Sequence, residues 1–240
     1  NLREEEEKLG RSLEDLSVLQ DKLVAEEKLA AIGQLSSAIA HEIRNPVTMI
    51  SSSLKMAESA KPGSPVRLEM FTIATEEAKR LETLTTDFLA FAKSKKPDIE
   101  SCLVIENLNY IADLAKARLI EKELVLSVEC DDSLILDLDP QQMRQALLNL
   151  VMNAINATSP GGRIVIGATA VKGQSVLFVE NEGEAVPADR LQKIFEPFFT
   201  GGAHGTGLGL SIVRNIARSH GGDIYLAENE NGKGRFELRF

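Results

Sequence analysis

The segment Lys61-Pro62-Gly63-Ser64-Pro65 limits the folds open to this chain more than any other. Two prolines and a glycine so close together stop a helix. On both sides lie long stretches with apolar residues at steps of three and four. Ile32, Leu35, Ile39, Ile43, Ile50 and Leu54 come before the turn; Phe71, Ala74, Ala78, Leu81, Thr85 and Phe88 come after it. That spacing lines up one face of a helix. The first helix is predicted to run to about Ser59 and the second to end near Lys95-Lys96-Pro97. Two long helices joined by a short turn fold back as an antiparallel hairpin. One hairpin buries little surface alone. Two hairpins make a four-helix bundle, so a homodimer is expected.

Ahead of the hairpin, Leu2, Leu9, Leu16 and Leu23 recur at steps of seven among Glu and Lys. The pattern suits a two-stranded coiled coil, with a single amphipathic surface helix as the alternative. After Asp98 the texture changes. Helices are predicted over Ile105–Ile120, Gln141–Thr158 and Leu208–Ser219. Strands are predicted over Leu124–Glu129, Arg163–Val171, Ser175–Glu180, Asp223–Ala227 and Arg235–Phe240. Segregated helices beside a mixed or antiparallel sheet give an α+β sandwich. The fold class is therefore multidomain, α and α+β, with a hinge at Pro97 to Glu100.

Composition excludes some functions. Among 240 residues, Asp and Glu outnumber Lys and Arg by 36 to 27, a net charge of −9, which argues against nucleic acid as a partner. No apolar run approaches the roughly 20 residues of a membrane span. The first residue is Asn rather than Met and no leader is read. The chain is therefore expected to be a fragment whose upstream part is missing. Cys102 and Cys130 read as buried thiols, since no Cys/His cluster accompanies them.

Asn149 and Asn153 lie four apart and so share a helix face. An amide oxygen is a hard donor suited to Mg²⁺ beside phosphate oxygens. Downstream, Gly205-Thr206-Gly207-Leu208-Gly209-Leu210 can bring bare main-chain N–H groups up to a polyphosphate. Together they indicate a Mg-nucleotide site.

His41 misses the core stripe through Ile39 and Ile43 and should face solvent. An exposed histidine alone says little, but its neighbours add chemistry. Glu42 is placed to take the Nδ1 proton as Nε2 attacks phosphorus. Pro46 has no amide hydrogen for the Glu42 carbonyl and should loosen the helix beside His41. Asn45, one turn from Glu42, is placed to orient a water.

His41-Glu42-x-Arg44-Asn45-Pro46 resembles the phosphoacceptor box of sensor histidine kinases. The downstream half is similar to the Bergerat-type α/β sandwich that those kinases share with gyrase, MutL and heat-shock chaperone ATPases. The resemblance covers residues 30 to 240, with the motifs in the family's order. Residues 1–30 resemble the signalling helix that joins a sensor to the kinase core. The resemblance implies a dimerisation and phosphotransfer domain over 31–97 and a catalytic ATP-binding domain over 98–240. It implies that ATP, with Mg²⁺, phosphorylates His41. The phosphate then passes to an aspartate on a response regulator receiver domain. Glu42-x-x-Asn45 also looks like the pattern of kinases that dephosphorylate their regulator.

Within that resemblance, Asn153 is the Mg²⁺-holding asparagine. Asn149 stands where the ATPase relatives carry a water-activating glutamate. An amide is no general base, which favours transfer to a protein nucleophile over free hydrolysis. The adenine motif departs from the family: Asn181-Glu182-Gly183-Glu184-Ala185 has Asn181 for an aspartate and Ala185 for a glycine. A neutral amide accepts a weaker hydrogen bond from adenine than a carboxylate does, so reduced affinity is expected. Ile194 to Thr200 matches the phenylalanine box that anchors the ATP lid, Thr200 to Gly205. Gly201 follows Thr200 where many relatives have a lysine, and Asn156 replaces a phosphate-contacting lysine. Phosphate neutralisation then falls to Mg²⁺, the helix after Gly209 and His204, itself readable as a plain loop residue. His220 reads as a helix C-terminal residue. Two rival readings stay open. A gyrase- or chaperone-type ATPase would release phosphate steadily without labelling itself. A non-catalytic dimeric module would bind no adenine nucleotide.

Overall fold

The computed structural model describes residues 39–92, 96–171, 174–200, 206–230 and 232–240. The heptad segment 1–30 and the lid residues His204 and Gly205 lie outside them. The chain divides into two compact units, Asn1–Thr86 and Asp87–Phe240.

In the first unit, residues 39–59 are helical (α1) and the second helix is α2, Pro65–Ala92. Pro65 begins α2 instead of only ending what precedes it. Its fixed φ and missing N–H suit the first helical position. The Ser64 hydroxyl accepts from the Arg67 amide at 3.3 Å, capping the helix that Pro65 starts. Pro46, Ser53 and Ala57 of α1 and Ala74 and Leu84 of α2 are buried. Ser53 and Ala57 are small, which lets neighbouring backbones approach. Ile43, Val47, Leu54, Leu68 and Phe71 remain exposed in the single chain. Ile43, Leu54, Phe71, Ala78 and Thr85, assigned to the core stripes from their spacing, are therefore not covered within one chain.

The second unit is a five-stranded mixed sheet backed by three helices. Its strands are β2 (Val125–Glu129), β4 (Arg163–Val171), β5 (Gln174–Glu182), β6 (Asp223–Glu230) and β7 (Lys233–Arg239). Their order is β2-β4-β5-β7-β6, with β2 and β4 parallel and the other neighbours antiparallel. The helices are α3 (Val104–Glu121), α4 (Pro140–Ala157) and α5 (Gly209–Ser219). The core between the layers holds Leu108 and Ile111 from α3, Leu147 and Leu150 from α4, Val213 from α5 and Ile164, Ile166, Leu177 and Leu238 from the sheet. Two short strands escape the sequence pattern. β1 (Glu100–Leu103) and β3 (Ile135–Leu138) pair antiparallel as a separate ribbon. Four residues each are too few to show an alternation.

Asp139 fixes where α4 begins, and α4 carries the asparagine pair. Its carboxylate accepts from the amides of Gln141 at 2.9 Å and Gln142 at 3.0 Å, and from the Asp98 amide at 3.0 Å. Its own amide donates to His220 Nε2 at 3.1 Å, while His220 Nδ1 faces the Ile216 carbonyl at 2.8 Å. His220 thus caps α5 and also braces the start of α4. Burial alone would raise the Asp139 pKa, but the amides of Gln142, Asp98 and Gln141 outweigh it and hold the carboxyl below its usual value. A lowered folded-state pKa stabilises the protein above the ordinary carboxylate pKa, and that contribution is lost as pH falls through the folded value. Asp139→Ala should cost about 1–2 kcal/mol at neutral pH. In paired denaturant titrations the gap between parent and variant should narrow below pH ~3.9. A gap that stays constant to pH 2 would contradict this.

Candidate active site

The glycine-rich run, far away in sequence, lies against one face of α4. Asn149 and Asn153 are both half-buried on it. The Asn149 amide nitrogen lies 3.5 Å from the Gly209 carbonyl, so the glycine-rich run crosses directly over the asparagine pair. A Cβ built on Gly209 would stand 3.9 Å from Asn153 Nδ2 and 4.0 Å from its Oδ1. Glycine at 209 therefore leaves a cradle beside the Asn153 amide that a side chain would fill.

Leu208 is buried and precedes α5 with no side-chain hydrogen bond capping the helix. Two amides in this region are satisfied locally: that of Leu208 reaches the Thr206 hydroxyl at 3.4 Å, and that of Ile212 reaches the Leu208 carbonyl at 2.9 Å. The start of α5 adds the positive end of a helix dipole where polyphosphate would lie. Gly207 has φ +68, and a Cβ there would sit 2.5 Å from the Phe198 carbonyl carbon. Only glycine fits. Phe198 is itself at φ +63, and its amide donates to the Gly207 carbonyl at 2.9 Å. The phenylalanine box is thereby pinned to the glycine run. Leu210 is half-buried in the first turn of α5, and Thr200 is exposed at the edge of the described chain.

The other end of the site forms where α4 meets β5. Asn181 is buried, and its Nδ2 lies 3.3 Å from Thr158 Oγ. Gly183 packs so closely that a Cβ would stand 2.7 Å from the Ala157 carbonyl oxygen. Asn229 clamps the following loop, accepting from the Val186 amide at 2.6 Å and donating to the Val186 carbonyl at 2.8 Å. Neither Thr158 nor Asn229 carries a sequence signal, because each reaches its partner through sheet geometry. Asn156 and Ala185 are exposed.

The residues fit a magnesium nucleotide. Among the described residues, no group of three or more His, Cys, Asp or Glu could hold a metal ion by itself. An ion bound here would rely on the Asn153 amide oxygen and on the nucleotide's own phosphates, the pattern expected of Mg²⁺.

In the first unit, His41 is exposed on α1, as its position off the apolar stripe predicts. Glu42 beside it is half-buried and pairs with Arg80 of α2 at 3.5 Å. Arg80 also lies 3.9 Å from Glu77. Asn45 is exposed one turn on.

The chain is similar to known proteins. The family model for the histidine kinase-, DNA gyrase B- and HSP90-like ATPases matches residues 138–240, and that for the His Kinase A (phospho-acceptor) domain matches residues 31–97. The solved catalytic domain of histidine kinase ThkA is 33% identical; the match covers 95% of that domain and 59% of this chain, with a TM-score of 0.54. The chain belongs to the histidine kinase family. A longer ThkA structure, in complex with response regulator protein TrrA, aligns with this histidine kinase chain at a TM-score of 0.76. It shares 29% identity and covers 90% of this chain and 63% of its own. Sensor histidine kinase ZraS of Escherichia coli K12 is 34% identical over 93% of the kinase chain and 48% of its own length. Sporulation kinase E of Bacillus subtilis is 33% identical over 90% of the chain and 29% of its own length. The chain thus spans about half the length of ZraS and less than a third of sporulation kinase E.

Proposed function

We propose that this chain is the catalytic core of a sensor kinase that moves the γ-phosphoryl group of ATP to its own His41. From there the group passes to an aspartate on a response regulator receiver domain. The observation that carries the reading is the crossing of Gly209 over Asn149 and Asn153. It joins an uncharged amide pair, a bare backbone and a helix start, which together suit a magnesium triphosphate. Bound Mg²⁺ would be held by Asn153 and would offset the charge of the phosphates. His41 Nε2 forms the new N–P bond as the bond from phosphorus to the ADP oxygen breaks. Glu42 takes the proton from Nδ1, which keeps the imidazole nucleophilic. Positioning and electrostatics supply the rest of the catalysis.

In this reading residues 31–97 form the dimerisation and phosphotransfer domain and 98–240 the ATP-binding domain, hinged near Pro97. The exposed Val47, Leu54, Leu68 and Phe71 supply the apolar face that a second hairpin would cover in a homodimer. The reading also places this part of the protein in the cytoplasm, where ATP is available, and joins it to an upstream sensor domain, as the name of sensor histidine kinase ZraS suggests. No helix among the described residues is long and apolar enough to cross a membrane.

Incubation with γ-labelled ATP and Mg²⁺ tests the function. The chain should take up label that is acid-labile and alkali-stable, and α-labelled ATP should leave it unlabelled. Steady phosphate release with no labelled protein would instead place it with the ATPases. We also propose that Asn45 orients the water that removes phosphate from the regulator. Asn45→Ala should slow regulator dephosphorylation about tenfold or more while autophosphorylation persists. Unchanged dephosphorylation would sink that role.

A further inference from the structure

Thr158 is the C-cap of α4 and is buried. Its hydroxyl donates to the Ala154 carbonyl at 2.7 Å. A hydroxyl has one proton, so with that proton committed Thr158 Oγ faces Asn181 only as an acceptor. Asn181 Nδ2 also lies 3.3 Å from the main-chain carbonyl of Glu182, which never donates. Turning the amide over would set Oδ1 against two oxygen acceptors. The hydrogen-bond network therefore fixes the amide polarity, with nitrogen toward Thr158 and Glu182. Gly183 makes room for that nitrogen: a Cβ there would stand 2.9 Å from it. Oδ1 lies 3.4 Å from where a Gly234 Cβ would be, so glycine at 234 keeps a side chain from crowding the oxygen.

We infer that Thr158, acting with the Glu182 carbonyl, sets the base selectivity of the nucleotide site by holding the Asn181 amide with its oxygen toward the base. The inference rests on the reading of Asn181 as the base-contacting residue. A carboxylate accepts through both oxygens and needs no such lock. An asparagine can present either a donor or an acceptor, and without the lock it would discriminate poorly. An outward amide oxygen matches a purine with a 6-amino donor and repels one with a 6-oxo acceptor.

The test compares ATP with ITP, whose bases differ at the 6 position, by calorimetry on the whole chain. The parent should prefer ATP. Thr158→Val keeps the shape and removes the acceptor, and should cut the ATP-over-ITP preference roughly tenfold. Thr158→Ala, run beside it, should do the same and decides the question if the valine variant does not fold. Thr158→Ser restores the hydroxyl and should keep the parent's preference. Asn181→Asp placed in the Thr158→Val background should restore the preference, since a carboxylate has no orientation to lose. An unchanged ratio in both Thr158→Val and Thr158→Ala overturns the inference, as does failure of Asn181→Asp to restore it. Asn181→Ala separates the two levels. If it weakens ATP binding while the Thr158 variants keep the parent ratio, only the role of Thr158 falls. If it binds both nucleotides as the parent does, the base-contact reading falls too.

Discussion

Replacing His41 with glutamine should reduce phosphoryl transfer to the protein to background while ATP binding persists. Glutamine keeps similar size and polarity but offers no nitrogen lone pair able to attack phosphorus. His41 is exposed, so its replacement should cost little stability, within about 0.5 kcal/mol. Loss of label then reports loss of the nucleophile, not of the fold. The chain has only three histidines, and the other two lie in the ATP-binding half, so few alternative acceptors exist. His220 holds the Asp139 amide and faces the Ile216 carbonyl, which leaves it structurally committed. Retained label in His41→Gln, measured beside an ATP-binding control, would contradict the assignment.

Asn153→Ala should give the second largest loss, about 10²–10³-fold in autophosphorylation rate. The amide borders the cradle at Gly209, and deleting it removes the oxygen that would hold Mg²⁺ beside the phosphates. Alanine is a strong helix former and Asn153 is half-buried, so α4 should keep its helicity and the variant should remain folded. The matching control is Asn149→Ala. Its contact to the Gly209 carbonyl is a long one, so a smaller loss, about tenfold, is expected. Stopped-time labelling of both variants at saturating ATP checks the order. Equal losses, or a larger loss at Asn149, would contradict the separate assignment of Asn153.

Much of this architecture was legible in the sequence, for physical reasons. The long helices announce themselves by apolar spacing. The asparagine pair needed only the helix period to fall on one face. The glycine-rich run could be placed against them because its approach needs bare backbone, and Gly209 is where the backbone comes close. What escaped depends on pairing at a distance. The ribbon of β1 and β3 joins residues more than thirty apart, as Ser101 with Asp137. Thr158 and Asn181 meet because the end of α4 is laid beside β5, and nothing local in either segment forecasts it. The left-handed backbone at Phe198 is likewise imposed from outside, by its hydrogen bond to Gly207. Pro65 shows that one residue type carries two messages. It ends whatever precedes it and also begins a helix when a capping serine stands before it.

The central claim is that His41 carries the transferred phosphate. The most direct test is to incubate the chain with ATP and Mg²⁺, digest it at neutral to alkaline pH and locate the phosphate by mass spectrometry. The account predicts a phosphoramidate on His41. Phosphate on any other residue, or phosphate released to water with His41 unmodified, would contradict it.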